Sequence, residues 1–101
     1  MADEVRVSDN PSQLQYELFV AEQPAGLIRY RRLPDALALV HTEVDPQFEG
    51  QGLGARLIQG ALADIRARGL HVVPICPFVR AYLDRHPGDR DLIAVDTEPP
   101  D

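Results

Sequence analysis

Between Val5 and Val44 the chain alternates apolar and polar positions. Val5 to Asp9 and Leu14 to Val20 read as strands, and in the second Leu14, Tyr16, Leu18 and Val20 lie on one face. Leu27 to Arg32 and Leu37 to Val44 continue the alternation. The intervening runs Asn10-Pro11-Ser12, Gln23-Pro24-Ala25-Gly26 and Leu33-Pro34-Asp35-Ala36 are turn signals. The pattern predicts an antiparallel four-stranded meander with tight connections.

The period then changes. Leu53, Leu57, Ile58, Ala61, Leu62 and Ile65 recur at helical spacing and form one apolar stripe, with Gln59, Asp64, Arg66 and Arg68 pointing elsewhere. Gly69 is placed to end that helix in a left-handed cap. Leu70 to Ile75 reads as a short buried strand. A strand-helix-strand unit of this kind makes the last two strands parallel, through a right-handed crossover. Pro77 opens a second helix with Phe78, Val79, Tyr82 and Leu83 on its apolar face, and His86-Pro87-Gly88 ends it. The expected fold class is therefore α/β: the meander, then the crossover, then a second helix. A chain of 101 residues makes one domain, residues 1–101. Its core covers about residues 5–93, and an acidic, Pro-containing tail follows at 94–101. Leu92, Ile93 and Val95 are expected to anchor the start of that tail, and its last residues to be disordered.

Composition removes several function classes. The formal net charge of -6 argues against a nucleic-acid partner, which calls for a basic footprint. No apolar run approaches the length of a membrane span. The start, MADEVRVSD, lacks the apolar stretch of a signal peptide. A single cysteine, Cys76, excludes an internal disulfide framework and fits a reducing, cytoplasmic setting. All ten basic residues are arginine, so no lysine is available for a Schiff base or a P-loop.

The main chemical signal lies in HTEVDPQFEGQGLGAR, His41 to Arg56. Gly50, Gly52 and Gly54 stand at alternate positions between a strand and a helix. Glycines let the backbone turn tightly there, and the helix that follows aims its unpaired N–H groups at the same place. Such a turn suits a phosphate or pyrophosphate. The dinucleotide fingerprint needs GxGxxG after the first strand of its fold, and a Walker A loop ends in GK[ST]; the present GxGxG ending Gly54-Ala55-Arg56 satisfies neither. A glycine-rich turn without a ligand stays open on these grounds.

Val44-Asp45-Pro46, the loop Gly50 to Gly54 and the helix start Ala55 to Leu62 resemble motif A of the GCN5-related N-acetyltransferase superfamily. HTEV at 41–44, VVPICPFV at 72–79 and AYLDRHP at 81–87 add a resemblance to its compact YjdJ-like subfamily. The resemblance covers roughly residues 5 to 93. It implies acetyl-coenzyme A as cosubstrate, with the pyrophosphate held by Gly50, Gln51, Gly52, Leu53, Gly54, Ala55 and Arg56, and the pantetheine arm bonded to the backbone of Val44. It implies no metal. In two places the chain departs from the family pattern. Glu49 stands where arginine or glutamine is usual, and Arg56 is positioned to compensate for it. Only Asn10 to Leu14 separate the first two strands, where full-size members insert one or two helices that shape the acceptor groove.

Acetyl transfer to an amine needs a neutral amine, a polarised thioester carbonyl and a protonated leaving thiolate. Alternation along the fourth strand puts Leu39, His41 and Glu43 on one face, which makes His41 and Glu43 candidates for the base. A structural histidine and an exposed acid remain the alternatives. Cys76, at the end of the last strand, is either a nucleophile that takes the acetyl group first or an inert lining residue. Tyr82 is a candidate acid for the thiolate, or a core aromatic. His86 suits the helix C-terminus as a cation and is not expected to be catalytic. The expected activity is acetyl-coenzyme A-dependent N-acetyl transfer to a primary amine, by direct transfer, in a monomer or homodimer. A module that binds the coenzyme without turnover, or transfer through Cys76, are the competing expectations.

Overall fold

Five strands form one sheet in the order β1-β2-β3-β4-β5 in the computed structural model, which describes residues 4–94. β1 (Val5–Asn10), β2 (Gln15–Val20), β3 (Gln23–Leu33) and β4 (Ala36–Val44) are each antiparallel to the next; β5 (His71–Pro74) runs parallel to β4. Helix α1 (Leu53–Ala67) makes the crossover and α2 (Pro77–Arg85) follows β5. Two short 3-10 helices, Pro46–Phe48 and Pro87–Leu92, complete the described elements. The meander and crossover are those the periodicity predicts.

Two connections differ from the sequence reading. Leu14, expected on the inner face of the second strand, lies in the β1–β2 turn at φ 55° and is 41% exposed, since the reversal ends only there. The β2–β3 turn is Ala21-Glu22, both at positive φ (50° and 66°), and Pro24 to Gly26 belong to β3. A two-residue hairpin loop needs positive φ at both positions to match the strand twist. Here that geometry is met without glycine, while the Pro-Ala-Gly run absorbs a register shift opposite Leu18 and Phe19. The segment before the tail is anchored as expected: Leu92 is buried, Ile93 packs against the core, and Ala94 N–H donates to Val72 O at 2.9 Å. Val95 and the rest of the tail lie outside the described residues.

Both helices cover the same face of the sheet. Leu57, Ile58 and Ile65 of α1 and Val79 and Leu83 of α2 share one core with Tyr16, Leu18, Ile28, Leu39 and Val72. Gly60 lets α1 approach β1, since a Cβ there would meet Val7 at 2.7 Å. The C-terminal end of α1 is tied down by polar bonds. Tyr16 donates to Asp64 (2.7 Å), Tyr30 donates to Asp9 (2.6 Å), and Arg68 pairs with both carboxylates. Gly69, at φ 71°, ends the helix, and Leu70 N–H reaches back to Ile65 O at 3.0 Å. This is the left-handed cap expected of that glycine.

Residues paired across strands share a face. Tyr16, Ile28 and Thr42 form a row on the helix side; Glu17, Leu27 and Glu43 form the next row on the other side. That second face carries no helix among the described residues. The shortest molecular extent, 21 Å, agrees with one sheet and one helix layer of about 10 Å each.

Candidate functional site

Pairing between β4 and β5 stops at Leu39 with Pro74. Ile75 N–H (3.1 Å) and Cys76 N–H (2.9 Å) both donate to Leu39 O, and the chain then turns into α2. β4 continues to Val44 against β3 alone. At its end Asp45 N–H donates to Ala25 O on the β3 side (2.7 Å). Alternate residues of a strand bond to opposite sides, so Thr42 and Val44 direct their backbone groups into the gap left by β5. A wedge-shaped gap with an unpaired strand edge is thus open between β4 and the start of α2.

The glycine loop stands at the mouth of this gap. Asp45 Oδ1 accepts from Gln47 N–H at 3.0 Å and fixes the first turn after β4. Gly50 and Gly52 have φ of 83° and 73°, the left-handed region where a side chain would be strained. Gly52 is the N-cap of α1 and no side chain caps it; the first helical bond there is Arg56 N–H to Gly52 O. The N–H groups of Leu53, Gly54 and Ala55 therefore face outward without a helical acceptor. Gly54 is flanked by two walls: a Cβ on it would meet the Phe78 ring at 2.7 Å and Val44 Cγ2 at 3.6 Å. Arg56 is exposed and is held in no ion pair among the described residues. Glu49 is exposed and caps only the preceding 3-10 helix through its backbone. Bare N–H groups, positive-φ glycines and an unengaged arginine together fit a diphosphate, so the loop is suited to the group the motif implied.

Cys76 lies deep in the gap, 5% exposed, as the N-cap of α2. Burial pushes its thiol pKa up, but the Thr42 hydroxyl at 3.4 Å and the backbone N–H groups of Val79, Phe78 and Thr42 favour the thiolate more, and the thiol is held below its ordinary value. No helix N–H makes a full cap hydrogen bond to the sulfur, so the Phe78 and Val79 contributions act as longer-range dipoles.

His41 and Glu43 are elsewhere than the alternation predicted. The β3–β4 register shifts between Arg29 and Tyr30, which inserts Val40 as a bulge. Leu39 points into the core, whereas His41 and Glu43 project from the helix-free face. There His41 Nε2 lies 2.9 Å from Glu43 Oε2, with the two side chains 53% and 57% exposed. They flank Thr42, whose hydroxyl meets Cys76 on the other side. Tyr82 is not brought into this group. It is buried, stacked under His86 with centroids 3.8 Å apart, and its pKa is raised by burial and by the Asp89 carboxylate. It belongs to the core cluster and shares no hydrogen bond with His41, Glu43, Thr42 or Cys76 among the described residues. His86 caps α2, its Nδ1 2.8 Å from Tyr82 O. Thr42 was not singled out in the sequence, and Phe78, expected on the buried face of the second helix, is instead 48% exposed and walls Gly54; only the register and the Gly54 contact reveal their places.

A family model described as GCN5-related N-acetyl-transferase matches residues 15–92. The chain belongs to that family. This acetyltransferase therefore comes from a family of acyltransferases whose members use acetyl-coenzyme A as cosubstrate. No curated protein matches its sequence. Its fold is similar to the solution structure of a GCN5-like protein of Staphylococcus aureus assigned as a candidate N-acetyltransferase. There the TM-score is 0.67 at 20% identity, covering 88% of this chain and 87% of that one. It is also similar to the crystal structure of the ribosomal-protein-S18-alanine N-acetyltransferase of Escherichia coli, at TM-score 0.59 and 21% identity, covering 79% of this chain and 54% of the other. At such identities the likeness concerns the fold. Among the described residues of the acetyltransferase, no helix is long and apolar enough to cross a membrane.

Proposed function

We propose that the protein transfers the acetyl group of acetyl-coenzyme A directly to a primary amine. The observation that carries this reading is the gap beyond Leu39, which opens onto the bare N-terminus of α1. A pyrophosphate on the loop from Gly50 to Arg56 directs an extended arm along the free edge of β4. The backbone groups of Thr42 and Val44 supply its hydrogen bonds, and Phe78 and Val44 its apolar walls. In the reaction a C–N bond forms between amine and acyl carbon, the C–S bond breaks, the amine loses a proton and the coenzyme leaves as its thiol. His41 and Glu43, hydrogen-bonded on the helix-free face, receive the amine proton there or through a water. Tyr82 takes no part.

The lowered thiol pKa of Cys76 supports a second reading, in which its sulfur takes the acetyl group first and passes it on. The two routes separate by mass spectrometry. Incubation with acetyl-coenzyme A without amine adds one acetyl group, lost in Cys76→Ala, only if the thiol is an intermediate. Direct transfer leaves the protein mass unchanged and lets Cys76→Ala keep its turnover.

The first test is the melting temperature with acetyl-coenzyme A, with ATP and NAD as controls. Ligand at about 100 times its dissociation constant adds roughly 2.7 kcal/mol, a shift of several degrees for a domain of this size. A coenzyme-specific shift followed by amine-dependent release of thiol supports transfer. A shift without thiol release would leave the protein a binding module, and no shift would sink both readings.

A further inference from the structure

Two shallow depressions adjoin on the helix-free face. One, of about 300 Å³, is bounded by Leu27, Glu43, Val44 and Asp45; the other, of about 140 Å³, by Gln15, Glu17, Phe19 and Leu27. They share Pro24, Gly26 and Leu27 and so form one groove. Its lining is mixed, and every charged residue lining it is a carboxylate, Glu17, Glu43 and Asp45, with the Arg6 guanidinium at its margin over the Phe19 ring, 4.4 Å from the centroid. Arg29 belongs to the next row, between Gln15 and His41, and lines neither depression.

The register fixes the spacing of the acids. Glu17 pairs with Leu27, and Leu27 pairs with Glu43, so the three stand in one row across β2, β3 and β4. Two strand spacings separate the carboxylate-bearing positions by about 10 Å, with Leu27 midway. Glu17 is held in place without being neutralised. Its Oε2 accepts from Asn10 Nδ2 at 3.0 Å and Gln15 Nε2 at 2.7 Å, and no cation among the described residues pairs with it. Asp45 is engaged by its own turn. The groove therefore presents a carboxylate on each side of Leu27. Its Glu43 end lies beside Thr42, where the edge of β4 is open to the gap.

We infer that the acceptor is a linear aliphatic diamine lying along the row Glu17–Leu27–Glu43, with its reacting nitrogen at the Glu43 end, its methylenes on Leu27 and its second ammonium on Glu17. The inference rests on the acetyl-transfer reading above and narrows its substrate class. The chemistry is the same balanced transfer, with the distal ammonium unchanged. Only the turn from Pro11 to Leu14 joins β1 to β2, so no helix from that connection covers the groove and the sheet surface itself reads the substrate.

Cadaverine and pentylamine share a five-carbon chain and differ only in the second ammonium. With saturating acetyl-coenzyme A, kcat/KM for cadaverine is expected to exceed that for pentylamine by about tenfold, the difference lying in KM. Glu17→Gln keeps the amide contacts and removes the charge; it is expected to bring the cadaverine-to-pentylamine ratio close to one by raising KM for cadaverine at constant kcat. Equal use of both amines by the native protein would overturn the inference, as would a Glu17→Gln effect that lowers both rates together, which marks a structural role. If neither amine speeds thiol release while the coenzyme still raises the melting temperature, the diamine inference falls; thiol release with some other primary amine would then keep the transfer reading, and none across a panel of amines would overturn that as well.

Discussion

Cys76 shows how little sequence spacing says about reactivity. A lone buried cysteine is ordinarily inert, because burial disfavours the thiolate. Here the Thr42 hydroxyl and the first N–H groups of α2 reverse that balance. Thr42→Val keeps the shape and deletes the hydroxyl, so the pKa rises and the thiolate fraction at neutral pH falls. Alkylation of Cys76 by iodoacetamide should slow by a few-fold, on the order of one hydrogen bond of about 1 kcal/mol; an unchanged rate would remove Thr42 from the account.

Two tyrosines give a pH signature. Burial first, and then hydrogen bonds to Asp64 and Asp9, raise the pKa of Tyr16 and push Tyr30 up to about 12. In the unfolded chain both ionise near 10.0. Above that pH the native state binds more protons than the unfolded one, so stability falls as pH rises. The contribution is fully present below pH 10 and, for Tyr30, is lost as pH passes about 12. Urea unfolding at stepped alkaline pH should show this decline, and Tyr30→Phe should flatten part of it. At neutral pH the same substitution is expected to cost about 1 kcal/mol, because Asp9 keeps Arg68 as a partner.

At the scale of elements, periodicity carried most of the fold. The stripe from Leu53 to Ile65, Gly69 as a stop and Pro77 as a start each act through local sterics, which is why they are legible without a partner. The bulge at Val40 and the turn at Ala21-Glu22 are not. Neither involves a residue type that demands the conformation; both appear only in the pairing of one strand with the next. That single bulge puts His41 and Glu43 on the face opposite Leu39, where the alternation had placed all three together. The glycine loop was legible because positive φ selects glycine, whereas Phe78 was not, since its role depends on packing against Gly54. The α1–β1 contact makes a sharp test. Gly60→Ala gains up to about 1 kcal/mol of helix propensity, but the new methyl lies 2.7 Å from Val7. A net loss of about 1–2 kcal/mol in urea unfolding is expected from the overpacking. Val7→Ala in the same chain should recover part of it, and a strictly additive double mutant would show that the two residues do not touch.

For the whole molecule, one layer of helices and one bare sheet face divide the labour. In the proposed reaction the coenzyme and the acceptor meet at β4 from opposite faces of the sheet. Coenzyme binding should then be a local event. Hydrogen exchange is expected to slow at the amides of Thr42, Val44, Leu53, Gly54 and Ala55, and to stay unchanged in β1 and β2. Protection spread evenly over the sheet would argue for global stiffening in place of an occupied gap.

The gap turns on one oxygen. Leu39 O accepts both Ile75 N–H and Cys76 N–H, and beyond it no ladder bond joins β4 to α2. A caliper works the same way: the jaws can change their angle without anything sliding, because they meet at one rivet. α2 carries Cys76 at its root and Phe78 two residues on, so the ring that faces Val44 across Gly54 stands farther along the chain from that rivet than the Cys76–Thr42 contact does. An arm held in the gap, as the proposed reaction requires, would thus meet its apolar wall beyond the rivet and have its reacting end beside it.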